Sequence, residues 1–367
     1  MANHLLSIEG LPKFYSIIYH HFVEMSIIAF ADLGLADLLA EGTSSSGHTA
    51  EEIADKNNWN SDLIHRILRS CSDVGIVEQI GDDRHFVLTK SGKLLTSDHP
   101  SKTRNFLRFS LGSWARGVGS AVSQIVRSGP ERNNSDIYHL TDGVNLYDWL
   151  ARPEHKEELD IFSGAMTALS LQGLDVVVAG VDFSHFRFIV DCGGCGGTFL
   201  AHILKNNPNV EQGIVFDMPH TIKQATNHEF EIRKIESSRY KFVAGDLLDP
   251  TTIPPKADAY IIKDVLESFD DEKTISVFLS VRQACEDKAN VAVFIVEAVI
   301  LPDDGTRINW CANGLDVFLS AGFNGKVRTV DEYKRLLNAS GLEFVKVHPI
   351  NAPASIIEAC VNPTRQT

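Results

Sequence analysis

The sequence predicts an α/β fold in which a doubly wound, mostly parallel sheet follows an all-helical region that carries a winged helix. Three observations lead there. After Phe183 short apolar runs alternate with helical periods, the pattern of a parallel sheet covered by helices on both faces. The segment Asp191-Cys-Gly-Gly-Cys-Gly-Gly197 follows the first of those runs and opens a helix. Before residue 105 the chain reads helix, turn, helix and hairpin.

From Leu11 to Leu39 apolar residues recur at helical spacing on nearly all sides, as in helices packed on two surfaces. The most apolar part, Phe22 to Ala40, is interrupted by Glu24, Asp32 and Asp37. Those acids argue against a membrane span and for burial against other protein, including a second subunit. A loop from Gly42 to Gly47 closes this block, and Thr49-Ala-Glu-Glu52 is a capping box that starts a short helix through Ala54. Asn60 or Ser61 caps the next helix, whose apolar face is Leu63, Ile64, Ile67, Leu68, Cys71 and Val74, with Gly75 as its stop. Ile76 to Ile80, a turn at Gly81-Asp-Asp83, and His85 to Leu88 form the hairpin.

Residues 101–180 read as amphipathic helices broken over Gly129 to Ser135 and at Arg152-Pro153. Strands are expected at Phe186–Cys192, Gln212–Phe216, Tyr240–Val243, Ala259–Ile262 and Val291–Val296, then at Glu343–Val347 and Ser355–Val361. The last two flank a proline-containing turn and suit antiparallel pairing, which makes a seven-stranded sheet. The expected divisions are residues 1–105, a helical linker over 106–183, and the sheet domain over 184–367.

Charge narrows the partners. The chain has 34 Lys and Arg against 48 Asp and Glu, a formal net charge of -14. Residues 1–105 hold nine basic and fourteen acidic side chains, a poor footprint for a duplex even with His65, Arg66 and Arg69 on the second helix of the winged unit. Dimerisation, rather than nucleic acid or a membrane surface, is the expected use of this region. The six cysteines are scattered through apolar segments, as buried reduced thiols of a cytoplasmic protein would be, and no basic segment followed by an apolar run opens the chain.

The glycine segment points to a ligand. Its glycines allow close backbone approach and a tight turn into the helix at Thr198. A glycine loop alone is unspecific, so the neighbouring acids decide. Asp191 ends the first strand, where a carboxylate meets an ammonium and would repel a pyrophosphate. Asp217, followed by Met218, closes the second strand and is placed for two ribose hydroxyls. Asp246, followed by Leu247, comes after the third and suits an adenine amino group. A nucleoside bearing a cationic amino acid, S-adenosylmethionine, satisfies all three. Cys192 and Cys195 also match C-x-x-C, yet no second C-x-x-C or H-x3-H accompanies them, so small side chains filling a tight loop, and no metal, are expected.

Across nearly its whole length the chain resembles the small-molecule O-methyltransferases that include caffeic acid and acetylserotonin O-methyltransferases. The carriers are Val190-Asp-Cys-Gly-Gly-Cys-Gly196, Phe216-Asp-Met-Pro219, Ala244-Gly-Asp-Leu247, Asp258-Ala-Tyr-Ile-Ile-Lys263, Phe269-Asp-Asp-Glu272 and Gly325-Lys-Val-Arg-Thr329. The resemblance implies a Rossmann-like class I methyltransferase domain and a homodimer whose N-terminal helices help line the partner's pocket. It implies cofactor contacts from Asp191, Gly193, Gly194, Gly196, Asp217, Asp246 and Lys263. By position it also implies an acceptor pocket with Phe162, Met166, Asn313, Asp316, Val317 and Phe323, whose plain alternative is core packing.

The chain departs from the family at the general base. Where the family has Leu-His-Asp-Trp, this sequence has Leu266-Glu-Ser-Phe269, so Glu267 stands in the histidine's place. Of two acids that steady that histidine, Glu297 is present and the other is Val327. Glu267 then reads in three ways. It is a base helped by Glu297, since adjacent carboxylates raise one another's pKa. It is half of an acidic site for a cationic or amine acceptor. Or it is an exposed residue ahead of the acidic helix start Asp270-Asp-Glu272. The expected activity is methyl transfer to a hydroxyl or amine of a small aromatic metabolite. The alternative is a non-methylating enzyme of pericyclase, lyase or hydroxylase type on the same scaffold. His20 and His21, with His4 nearby, are further candidates on a helix that could enter a partner's pocket, though packed histidines are commoner.

Overall fold

The computed structural model describes residues 8–41, 47–81, 84–128, 135–286, 288, 290–302, 310–348 and 350–361. His4, most of the Gly42–Gly47 loop, Asp82 and Asp83 of the hairpin turn, and residues 129–134 lie outside them. The chain forms two compact units. The first holds the described residues up to Ser120 together with Ser135–Leu169, and the second those of Ala121–Asn134 and Ser170–Thr367. The helical stretch 106–183 is thus shared between the two units rather than standing alone.

In the first unit a helix over Leu11–Asp32 turns at Gly34, in the left-handed region at φ 65°, into a second over Leu35–Ala40. Strand β1 (His48–Thr49) leads to helices Ala50–Asn57 and Ser61–Asp73, then to β2 (Val77–Ile80) and β3 (His85–Leu88). These strands form one antiparallel sheet in the order β1-β3-β2, the wing of the expected winged helix. Thr49 makes the predicted capping box with Glu52, and the helix runs three residues past its expected end, to Asn57. Asn60, not Ser61, caps the next helix by accepting from the Leu63 amide. Phe30, Leu35, Leu68 and Phe86 form the centre of this unit's core.

Two of the acids that interrupt the first apolar run have partners in this unit. Asp32 pairs with Arg108 and Asp37 with Arg104, both at 2.8 Å, from the helix Thr103–Leu111. The helix Leu11–Asp32 is long and apolar enough, by length and composition, to cross a membrane, with a mean hydropathy of 1.2. Within this chain it leaves Phe14, Ile17, Ile18, Tyr19 and Phe22 exposed. His20 and His21 lie exposed on the same helix, with His20 Nδ1 on the carbonyl of Ser16 and His21 near Glu24.

The second unit is built on β4 (Phe188–Cys192), β5 (Gln212–Asp217), β6 (Tyr240–Ala244), β7 (Ala259–Lys263), β8 (Ala292–Glu297), β9 (Val299–Ile300), β10 (Arg328–Thr329), β11 (Leu342–His348) and β12 (Ser355–Val361). Seven of them make one sheet in the order β11-β12-β8-β7-β4-β5-β6. Five run parallel, and β12 pairs antiparallel with both β8 and β11, as the late turn foretold. Strand β4 starts two residues later than expected because the Asp258 carboxylate takes the amides of Arg187 and Phe188, at 2.7 and 2.8 Å.

Buried apolar residues cover both faces of this sheet. Ile262, Phe278 and Tyr333 belong to one core cluster, and Leu200, Val215 and Phe294 to the other. Two separate short strands, β9 and β10, pair in parallel and set Arg328 opposite Val299. The described cysteines Cys71, Cys192, Cys195, Cys285 and Cys360 are free thiols.

Candidate functional site

The parallel strands end in one row. Asp191 on β4 lies level with Ile261 on β7 and Val215 on β5, and Lys263 at the end of β7 pairs with Val296 on β8. Because β4 has β5 on one side and β7 on the other, chain connections leave it in opposite directions. A crevice opens at such a reversal, beyond the carboxyl ends of the strands.

The loop after β4 is held by its neighbour. The amides of Gly193 and Gly194 both point to the carbonyl of Phe216, at 2.7 and 3.3 Å, and the Cys195 amide donates to Asp217 Oδ2 at 2.8 Å. Gly193 and Gly197 adopt positive φ, 78° and 80°, and Gly197 caps the helix Thr198–Asn206. A Cβ on Gly194 would stand 2.7 Å from Asp191 Oδ2, so the loop closes over that carboxylate. A Cβ on Gly196 would meet nothing within 4 Å, so the backbone there faces open space. Cys192 points into the apolar core, and Cys195 is exposed at the turn with φ 50°.

Asp191 is 1% exposed, and its Oδ2 has no hydrogen-bond partner among the described residues. Burial pushes its carboxyl up to about 7. The Lys263 charge opposes that rise and Asp217 adds to it. An orphaned carboxyl oxygen under an open glycine edge fits a cationic ligand group, since a buried acceptor without a donor is costly.

The other predicted residues of this end are placed as follows. Asp217 uses Oδ1 for the Met218 amide at 2.7 Å and Oδ2 for Cys195, leaving each oxygen a lone pair for a further donor. Asp246 is half-buried and fixed by the Thr252 hydroxyl and the Leu248 amide. Met218 is exposed, whereas the Leu247 side chain belongs to the core. Lys263 is bonded to Asp264.

After β7 the chain turns through Asp264, in the left-handed region at φ 53°, into a short 3-10 turn at Leu266–Ser268 that carries Glu267. Two buried charged groups hold this turn from opposite sides. Glu297, fully buried at the end of β8, accepts the amides of Val265, Leu266 and Glu267 on one oxygen, at 3.0, 2.5 and 3.3 Å, and the Tyr333 hydroxyl on the other. Arg328, also fully buried, donates to the carbonyls of Leu266 and Phe269, at 2.9 and 2.7 Å, and to the Asp271 carboxylate at 2.9 Å. Gly325 lets the chain approach from above. A Cβ there would stand 2.1 Å from the Glu267 carbonyl, which accepts the Lys326 amide at 2.8 Å.

Two of the sequence readings bear on this turn. Glu297 was expected beside the acceptor, yet both its oxygens are spent on the turn and Tyr333. Glu267 is not an exposed helix-start residue, because it is half-buried and the helix Asp271–Cys285 is capped separately by Asp270. The Glu267 carboxyl is pushed up by burial first, then by Asp264 and Glu297, with Lys263 opposing. Burial likewise lifts the Glu297 carboxyl to about 7, against the Tyr333 hydrogen bond. Lys263 therefore acts on both Asp191 and Glu267, which ties the glycine loop to the turn. Val327 is buried with Ala312 and Leu319, an apolar filling where the resemblance would have an acid.

Of the acceptor-lining candidates, Phe162 and Met166 lie half-buried in the first unit, where the Phe162 ring packs edge-on against Phe109 and Tyr147. Asn313, Asp316, Val317 and Phe323 lie on the helix Trp310–Phe323 of the second unit. Asp316 Oδ1 takes the Val327 amide at 2.8 Å, so it supports the 325–329 segment, and Val317 is exposed. A cavity of about 720 Å3 elsewhere in the second unit, lined by Ile300, Pro302, Lys334, His348 and Ser355 among others, contains none of the predicted residues. Sequence reasoning missed Arg328, although it lies in the Gly325–Thr329 motif, and it missed Tyr333 and Asp264.

Family profiles, sequence relatives and solved structures match the chain. A family profile described as an O-methyltransferase domain matches residues 122–343, and one described as an O-methyltransferase dimerisation domain matches residues 15–98. The 8-amino-8-demethylriboflavin N,N-dimethyltransferase of Streptomyces davaonensis is 28% identical over 345 residues, 93% of this chain and 94% of that protein. The crystal structure of LaPhzM superposes with a TM-score of 0.82 at 27% identity, covering 95% of this chain and 98% of that one. The O-methyltransferase NcsB1 from neocarzinostatin biosynthesis, solved with S-adenosylmethionine and 2-hydroxy-5-methyl naphthoic acid, gives 0.70 at 25% identity, covering 92% and 96%.

Proposed function

The chain belongs to the O-methyltransferase family, and from that premise we propose that it methylates a hydroxyl or amine of a small aromatic secondary metabolite, with Glu267 at the acceptor atom. S-adenosylmethionine is the methyl donor, and its sulfonium supplies a methyl group already activated for displacement. The observation that carries the reading is the buried Asp191 carboxyl, whose Oδ2 has no donor among the described residues, beside the open Gly196 edge. We assign the amino-acid end of the cofactor to Asp191, Gly193, Gly194 and Gly196, the ribose to Asp217 beside Met218, and the adenine to Asp246 beside Leu247. Lys263 orders the adjoining carboxylates rather than adding a free cation, since it is bonded to Asp264.

In this reading Glu267 occupies the position of the family's histidine and receives the proton that the acceptor loses. Glu297 and Arg328 are positioning residues that fix the turn beneath it. Alignment of acceptor and methyl group supplies much of the acceleration, so the chain does not need a covalent catalyst. Asn313, Asp316, Val317 and Phe323 are proposed near the acceptor. We also propose a cytoplasmic homodimer joined through the exposed apolar row on Leu11–Asp32.

Glu267→Gln tests the assignment. The expected result is a fall in turnover of at least about tenfold with cofactor affinity kept. S-adenosylhomocysteine release measures the first and titration calorimetry the second. Unchanged turnover removes Glu267 from the mechanism, and product formed without S-adenosylhomocysteine excludes methyl transfer.

A further inference from the structure

We infer that the acceptor is an aromatic amine rather than a phenol, a conclusion that rests on the reading just given and names its substrate class. The argument turns on the sign of the charge that each acceptor places beside Glu267. A phenol must lose its proton before or during attack, which puts negative charge on the oxygen. A neutral arylamine attacks with its lone pair and becomes positive at nitrogen. An alkylamine is protonated near neutral pH, with a pKa close to ~10.4, and has no lone pair to offer.

The surroundings of Glu267 favour positive charge. The groups acting on its carboxyl are Asp264, Glu297 and Lys263, three acids in all with Glu267 against one base. That base, Lys263, is already bonded to Asp264. Among the described residues the hydrogen bonds at Glu267 are made by its backbone, whose amide goes to Glu297 and whose carbonyl takes Lys326, and its carboxylate is open to a ligand. Neither group that holds the turn can relieve a developing anion. Glu297 is an acid with both oxygens occupied, and the Arg328 guanidinium is committed to Leu266, Phe269 and Asp271. Burial holds these carboxyls towards their protonated form; an ammonium favours their ionisation and is then neutralised by it, whereas a phenolate opposes their ionisation and gains no countercharge from them.

The step balances without a further reagent. The amine lone pair forms the N–C bond to the methyl carbon as the S–C bond breaks, and that electron pair remains on sulfur. The arylammonium then gives one proton to a Glu267 carboxylate oxygen, leaving a neutral methylated amine, and the proton passes to solvent when product leaves. A carboxylate is a sufficient base for an arylammonium and a weak one for a phenol.

The test compares matched acceptors, 1-aminonaphthalene and 1-naphthol, with the full chain and S-adenosylmethionine, following S-adenosylhomocysteine release and product mass. The expected kcat/KM ratio favours the amine by on the order of a hundredfold, as for a reversal of one charge about 5 Å from a carboxylate. Glu267→His should move the ratio towards 1-naphthol, a change that mere destabilisation would not produce. Faster methylation of 1-naphthol by the unaltered enzyme overturns the amine inference and leaves methyl transfer standing. Release from neither acceptor by protein that binds S-adenosylmethionine overturns both.

Discussion

Replacing Asp191 by Asn should remove a pH dependence from both cofactor binding and stability. In the folded chain the Asp191 carboxyl keeps its proton up to about 7, against an ordinary value of 3.8, because burial dominates. Between those values the folded state binds more protons than the unfolded one. Stability therefore falls as pH rises through that window, by about 4 kcal/mol in total at about 1.36 kcal/mol per unit. Cationic ligand binding favours the ionised form, so it must expel the proton below pH 7. Affinity for S-adenosylmethionine should then rise about tenfold per pH unit up to about 7 and level off above it. Titration calorimetry from pH 5.5 to 8.5, in buffers of different ionisation enthalpy, reads both the affinity and the proton count. Asp191→Asn should bind more weakly at pH 8, release no proton, and show flat affinity. Flat affinity in the unaltered protein below pH 7, without proton release, would refute the assignment of Asp191 to the cofactor.

The two glycines of the loop separate fold from binding. Gly196→Ala should leave urea stability within about 0.5 kcal/mol, because its Cβ meets nothing in the chain, yet weaken cofactor binding at least about tenfold. Gly194→Ala should cost about 1–3 kcal/mol of stability even without cofactor, as its Cβ would crowd Asp191 and Val215. Arg328→Met should cost about 2–4 kcal/mol in denaturant unfolding by leaving the Leu266 and Phe269 carbonyls without a donor, and a cost below about 1 kcal/mol would deny it the holding role. Ile18→Glu, on the exposed apolar row, should shift the protein from dimer to monomer in light scattering, and a persistent dimer would place the interface elsewhere.

The fold was legible where the signal was local. Strand runs, the capping box at Thr49 and the late antiparallel pair all depend on neighbours a few residues apart, so periodicity and cap chemistry reveal them. The short strands β1, β9 and β10 were not expected, since two residues carry no period. At the site, the glycines and the strand-end acids were legible because strand ends and turns announce themselves. Arg328 was not, because its partners Leu266, Phe269 and Asp271 stand about sixty residues earlier and only the sheet brings them together. The bonds of Glu297 were hidden for the same reason. A sequence shows that an acid ends β8, but not that three amides across the sheet have already claimed it.

The manner in which the Leu266–Ser268 turn is held has a consequence for how such an enzyme diversifies. Within residues 265–269 Glu297 and Arg328 grip main-chain atoms alone, and none of their bonds reaches the side chain at 267. That position is a socket, whose backbone keeps its place whichever side chain is fitted. In the proposed reading, a lineage retools the acceptor end there by one substitution, without relearning how to fold.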